Sequence, residues 1–188
     1  PIGANTPTST TTRTPTASAT AVLVGHVTWQ SRPAQPNALQ QLPITITVKS
    51  GATEVNYPLQ TTDASGFFTV PVTGLANGSY NWRVKSAQVG ATPPDYNPGF
   101  LAVSGTLTLT GALITNVEMG LQRSGDVDNN NVVNAPDFAV LKGTFGKSIG
   151  QPGYDNRADF TGDTVVNSSD FTALKTNFGL GGAGPIGP

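Results

Sequence analysis

Two copies of one pattern dominate the C-terminal part of this chain. The first is GDVDNNNVVNAPDFAVLKGTFG, Gly125 to Gly146, and the second is ADFTGDTVVNSSDFTALKTNFG, Ala158 to Gly179. The offset is 33 residues, Asp126 aligning with Asp159. Asn130 falls on Asp163, Val132 on Val165, Asn134 on Asn167, Asp137 on Asp170, Phe138 on Phe171, Leu141 on Leu174 and Lys142 on Lys175. A solenoid needs at least three stacked units, so two copies predict a symmetric pair instead.

Each copy reads as a cation-binding loop followed by one helix. Oxygen-bearing residues recur at loop positions 1, 3, 5, 9 and 12, with a backbone carbonyl at 7, the spacing that wraps a hard cation. In the first loop these are Asp126, Asp128, Asn130, Val132 (carbonyl), Asn134 and Asp137. In the second they are Asp159, Thr161, Asp163, Val165 (carbonyl), Asn167 and Asp170. Six of the chain's 11 acidic residues sit in these two loops. Carboxylates gathered this closely repel one another unless a divalent cation neutralises them. Many oxygens on a flexible loop suit calcium better than magnesium, so two calcium ions are expected. Thr161 is a weaker ligand than Asp or Asn, which makes the second site the weaker one.

Helices are predicted directly after the loops. Pro136 stands early, where its missing N–H is harmless. Phe138, Leu141 and Phe145, and again Phe171, Leu174 and Phe178, form an i, i+3, i+7 stripe. Those two stripes are expected to bury each other across a pseudo-two-fold axis, with Gly146 and Gly179 ending the helices.

This duplicated loop-plus-helix, with Asp at position 12 and no helix ahead of each loop, resembles the type I dockerin family over about residues 125–180. The resemblance implies a calcium-dependent docking module for a cohesin partner on an extracellular scaffold. It places partner contacts at loop positions 10 and 11, here Ala135-Pro136 and Ser168-Ser169, of which only the second pair has the serine-rich pattern. The docking face is expected near Ser168, Ser169, Lys142 and Lys175. One departure is steric: the glycine of loop position 6 is replaced by Asn131 and by Thr164. Asn tolerates a left-handed backbone, whereas β-branched Thr is strained there.

Composition excludes several classes. Only 11% of residues are charged and the net charge is −1, with no basic patch, so nucleic acid and anionic membrane are poor partners. No cysteine means no disulfide and no thiolate chemistry. No apolar run approaches the roughly 20 residues of a membrane helix. A secreted, cell-surface location is expected, with calcium stapling the fold in place of disulfides.

Residues 1–20 are a Ser/Thr/Pro-rich tract, read either as an O-glycosylated stalk or as an arm donated as a strand to a neighbour. Residues 21–121 read as an antiparallel β-sandwich. Eight runs are expected: Val22–Gln30, Ile44–Lys49, Thr53–Leu59, Gly66–Val72, Tyr80–Ala87, Phe100–Ser104, Thr106–Thr110 and Leu113–Leu121. Turn signals such as Asn77-Gly78 and Ser104-Gly105 separate them. ITITVK and TLTLT alternate apolar with polar, and Trp82 and Val84 are expected in the core. Asp63, Gly66, Phe68, Leu75, Gly78 and Tyr80, with Gly25, resemble the carboxypeptidase-regulatory-like, transthyretin-like sandwich family, which implies a non-catalytic spacer or adhesion module. The loop–helix module is expected over 122–180 and a Gly/Pro-rich tail over 181–188, with sandwich and module packed as one rod. The fold class is therefore mainly β with a small α module.

No catalytic constellation stands out. His26 lies on an alternating strand without a nearby Ser or carboxylate in sequence, and Glu54 and Glu118, the only glutamates, do not pair as an acid/base couple. Trp29, Trp82, Tyr57, Tyr96 and Phe100 are expected in core packing rather than in a sugar platform. The reading is a non-enzymatic extracellular assembly protein, associating with other copies of itself into a fibre through its terminal segments. Two alternatives stand beside it: the cohesin-binding end of a cell-surface or cellulosome-type enzyme, and a carbohydrate-binding sandwich whose partner is a glycan.

Overall fold

A computed structural model describes residues 20–187 of the chain. The arm expectation for residues 1–20 falls almost wholly outside those residues. Among the described residues eight strands form two sheets: β1 (Val22–Trp29), β2 (Pro43–Ser50), β3 (Thr53–Asn56), β4 (Gln60–Thr61), β5 (Phe67–Pro71), β6 (Gly78–Ser86), β7 (Val103–Leu109) and β8 (Ile114–Gln122). One sheet runs β5-β1-β8, and the other β3-β2-β6-β7 with β4 beside β2. Every pairing is antiparallel except β1 with β8, which is parallel.

Period-2 patterning explains the core. In β2, Ile44, Ile46 and Val48 point inward, and in β7 Leu107 and Leu109 do, while their threonine neighbours face the other way. Trp82 and Val84 of β6 are buried as expected. Trp29 and Phe100 meet with ring centroids 4.9 Å apart inside the sandwich. The Trp29 indole donates to the Thr62 hydroxyl at 3.2 Å, so its polar edge is satisfied.

Two expectations about this region are corrected. Ser104-Gly105 is not a turn: it lies inside β7, opposite Arg83 and Trp82. Glycine is needed there because a Cβ at position 105 would sit 2.5 Å from the Trp82 ring. The glycine makes room for a tryptophan rather than for a chain reversal. The run Thr53–Leu59 shortens to β3, and Gln60–Thr61 supplies a separate short pairing.

After β8 come helix α1 (Ala135–Thr144) and helix α2 (Ser168–Asn177). Their small core contains Val127, Val133, Leu141, Ala158, Phe160, Val166, Ala173 and Leu174. Leu101, from the loop preceding β7, is buried with them. The stripe expectation is corrected here. Only Leu141 and Leu174 go inside, whereas Phe138, Phe145, Phe171 and Phe178 are 38%, 51%, 37% and 54% exposed. Each loop pairs with the end of the other copy's helix, Val133 with Gly179 and Leu180 and Val166 with Gly146 and Lys147, so that Val133 and Val166 fill the interior while the phenylalanines stay outside.

The sandwich and the helical pair touch closely. Gly99 approaches the Asp126 carbonyl so nearly that a Cβ at Gly99 would lie 1.6 Å from it. Asn177 of α2 donates to Gln30 Oε1 at 2.6 Å and to the Ser124 carbonyl at 2.7 Å. Gln88 donates to the Val127 carbonyl at 2.7 Å. The tail returns across this junction: the Ala183 N–H donates to the Ala102 carbonyl at 2.8 Å, and Arg83 Nε to the Ala183 carbonyl at 2.9 Å.

Candidate metal centres and docking face

The loops close because two backbone positions in each adopt left-handed dihedrals. Asn129 and Asn131 have φ of +64° and +72°, and Gly162 and Thr164 of +76° and +71°. The strained position-6 threonine foreseen from sequence is thus present. The chain at Thr164 is held by its N–H donating to Asp159 Oδ2 at 2.9 Å. Gly146 and Gly179, with φ of +78° and +84°, follow the helix ends as expected.

The fold brings the six loop carboxylates into two groups. Asp126, Asp128 and Asp137 each place an oxygen within 4.8 Å of the others, and so do Asp159, Asp163 and Asp170. Two oxygens bound to one calcium ion at about 2.3–2.6 Å span up to twice that distance, so both groups have the right compass. In each group two carboxylates are buried and one is exposed. Burial pushes the Asp126, Asp137 and Asp170 carboxyls above the ordinary carboxylate range, against the pull of the N–H groups and, at Asp126, of Lys85.

Position-12 aspartates double as helix caps. Asp137 Oδ2 accepts the Asn134 N–H at 2.8 Å and its Oδ1 the Asp128 N–H at 3.1 Å. Asp170 accepts the Asn167 N–H at 2.9 Å and the Thr161 N–H at 3.0 Å. Each carboxylate therefore pins its loop to the first turn of its helix.

Fit to a cation differs between the loops. In the first, Asp126 Oδ1 and Asn134 Oδ1 are buried acceptors without a donor among the described residues. Such orphans are costly unless something positive meets them. Asn130 Nδ2 donates to Asp128 Oδ2 at 2.9 Å, and the Val132 N–H to Asn130 Oδ1 at 2.9 Å. In the second loop the acceptors already have donors. Asp159 Oδ1 accepts the Gly162 N–H at 2.7 Å and the Thr161 hydroxyl at 3.3 Å, and Asn167 Oδ1 accepts the Ser169 N–H at 2.7 Å. Asn167 Nδ2 donates to Asp163 and to the Val165 carbonyl at 3.0 and 3.2 Å. Both loops carry internal bonds on candidate ligands that a cation would replace, but only the first also leaves Asp126 Oδ1 and Asn134 Oδ1 without a donor.

Sequence reasoning missed the partners that the rest of the molecule lends to position 1. Lys85 Nζ, from β6, donates to Asp126 Oδ2 at 2.6 Å, and Tyr154 donates its phenol proton to Asp159 Oδ2 at 3.0 Å. Lys85 alternates along β6 with the core residues Trp82 and Val84, yet it is itself buried beside Asp126. Burial lowers its affinity for a proton, with Asp126 opposing that shift. Burial and the Asp159 charge hold the Tyr154 phenol well above its ordinary range. Arg32 reaches the Asp159 backbone carbonyl at 3.3 Å. No signal short of the tertiary contact could have marked these residues.

The expected docking residues Lys142, Lys175, Ser168 and Ser169 are all exposed. Phe138 and Phe171, equivalent residues of the two copies, lie with ring centroids 6.1 Å apart. Equivalent residues that touch mark the pseudo-two-fold axis, so an exposed aromatic pair sits on it. Trp29, Trp82 and Phe100 are core residues, and Tyr57 and Tyr96 are half-buried, so these five do not make a platform. His26 Nδ1 pairs with Glu118, its Nε2 lies 2.9 Å from Gln35 Oε1, and its ring stacks on Phe67. Glu54 pairs with Lys49 at 3.1 Å. Among the described residues no helix is long and apolar enough to cross a membrane.

Residues 124–179 match the family model described as the dockerin type I domain. No curated protein matches the chain. Among solved structures, a chain of a C-terminal interface mutant of a type II cohesin–X–dockerin complex from Acetivibrio cellulolyticus is similar. Its TM-score is 0.59 at 17% identity, over 86% of this chain and 97% of its own length. A chain of the N-terminal interface mutant of that complex gives the same values. The likeness is one of fold, and it extends over both sandwich and helices.

Proposed function

We propose that this chain docks, through its dockerin type I domain at residues 124–179, onto a cohesin-type domain of another protein, outside the cell and in the presence of calcium. The observation that carries this reading is the pair of equivalent helices fixed by two carboxylate clusters, with their phenylalanines turned outward. Phe138 and Phe171 on the axis would supply apolar contact area, and Lys142, Lys175, Ser168 and Ser169 the polar contacts around it. Two calcium ions are proposed. One would be held by Asp126, Asp128, Asn130, the Val132 carbonyl, Asn134 and Asp137; the other by Asp159, Thr161, Asp163, the Val165 carbonyl, Asn167 and Asp170. Calcium would neutralise the clustered carboxylates, and the aspartate caps would then transmit loop closure to the direction of each helix. The sandwich would act as a non-catalytic buttress.

Fibre formation through the tail is less well supported, because Gly182 and Ala183 are already hydrogen-bonded to their own chain, at Asn131 and Ala102. Titration calorimetry of the full chain against purified type I and type II cohesins tests the proposal. Binding to one of them in calcium, abolished by chelator, is the expected result. A monomeric, calcium-loaded chain that gives no binding heat with either cohesin overturns the reading.

A further inference from the structure

The two position-1 aspartates are held by chemically different neighbours. Asp159 Oδ2 accepts from the Tyr154 phenol and the Thr164 N–H, both neutral donors from its own module. Asp126 Oδ2 accepts the Asn131 N–H at 3.0 Å and the ammonium of Lys85, which is carried by the sandwich. That ammonium is nearly enclosed: the Lys85 side chain is 11% exposed, Asp126 is fully buried, and the remaining bond from Nζ goes to the Phe100 carbonyl at 3.1 Å. Arg32, also from the sandwich, donates at the second loop to the Asp159 backbone carbonyl and, among the described residues, to no carboxylate there.

We infer that Lys85 is a resident counter-charge for the first loop, a positioning residue by which the sandwich holds Asp126 in place when calcium is absent. The inference rests on the calcium reading of the loops and deepens it. A buried carboxylate with one orphaned oxygen needs positive charge nearby. Lysine supplies it at Oδ2 and leaves Oδ1 without a donor. Calcium and Lys85 are therefore partly redundant supports for the same side chain. The first loop keeps its closure after the ion leaves, and the sandwich stays joined to the helical pair. Among the described residues no lysine bonds Asp159, and Arg32 acts on the second loop through the Asp159 backbone carbonyl and through space.

Amide hydrogen exchange on the full chain separates this role from mere packing, read at the Asn131 N–H for the first loop and the Thr164 N–H for the second. In the wild type, Asn131 is expected to stay protected within about tenfold on adding chelator. In Lys85→Met its protection should fall about a hundredfold in chelator and return in calcium, while Thr164 behaves as in the wild type. Lys85→Arg should restore protection in chelator. If Lys85→Met folds poorly, as judged at the Ile46 and Val84 amides, Lys85→Gln keeps a hydrogen bond without the charge and makes the same comparison. Equal loss in calcium and chelator, or no loss in either, would overturn the inference. So would loss of Asn131 protection in the chelated wild type. Calorimetric titration of the wild type with calcium alone tests the underlying site reading separately.

Discussion

The sandwich and the loop–helix pair are stabilised by different physics within one chain. The sandwich closes on a large apolar interior of two indoles, phenylalanines and alternating aliphatic residues, needing nothing from solution. The loop–helix pair buries far fewer apolar side chains and leaves four phenylalanines outside. It devotes its interior instead to carboxylates that cap helices and gather into two clusters. A region that can bury enough carbon is indifferent to ions, whereas one that spends its phenylalanines on its surface has to be held by charge. The junction shows both kinds of support, with Leu101 buried against the helices and Lys85 paired to Asp126.

Breaking the charged region should have the largest effect. Asp126→Ala with Asp159→Ala removes position 1 of both loops and leaves Lys85 buried without its partner, a loss of about 3–5 kcal/mol at that pair alone. The helical circular-dichroism signal should vanish even in calcium, while the sandwich keeps its own melting transition. A retained helical signal would contradict the contrast drawn here. Ile46→Ala should strike the other region by about 2–5 kcal/mol, since Ile46 is 1% exposed in the core. Denaturant titration should show the same loss with calcium and with chelator, because no ion supports that core.

The outward phenylalanines sharpen the contrast from the functional side. Phe138→Ala with Phe171→Ala should lower stability by about 1 kcal/mol, the worth of an exposed aromatic pair. Partner binding by calorimetry should nevertheless fall by at least about tenfold, as expected for anchors near the centre of an interface. Smallest of all is the pH dependence of the sandwich. Burial disfavours the charged form of His26, but Glu118 and Gln35 outweigh it and hold the imidazole above its ordinary value. A raised folded-state value means the stabilisation is complete below the unfolded value of about 6.5 and is lost as pH rises through the folded one. Thermal melts in chelator should therefore show a shallow decline in sandwich stability above neutrality, and His26→Gln should flatten it.

Much of this was legible in the residues. The repeat at Asp126 and Asp159, the helices after each loop, the left-handed position 6 and the alternation of β2 and β7 are all local. Period, spacing and dihedral preference are properties of neighbouring residues and need no knowledge of the distant chain. The errors have the opposite character. Gly105 looked like a turn because its reason, the Trp82 ring, lies on another strand. Phe138 and Phe171 looked like core because an i, i+3, i+7 stripe names a face without saying whether loop or solvent covers it. A parallel β1–β8 pair, and a tail stitched to Ala102, follow from chain topology alone.

The sequence by itself determined that two carboxylate-rich loops would fold in the same way and that a sandwich would precede them. Only the tertiary structure decided what holds each position-1 aspartate, a lysine from the sandwich in one loop and the module's own tyrosine in the other. Charge pairing across 41 positions of chain, from Lys85 to Asp126, depends on how two finished surfaces meet, and no residue pattern encodes that meeting.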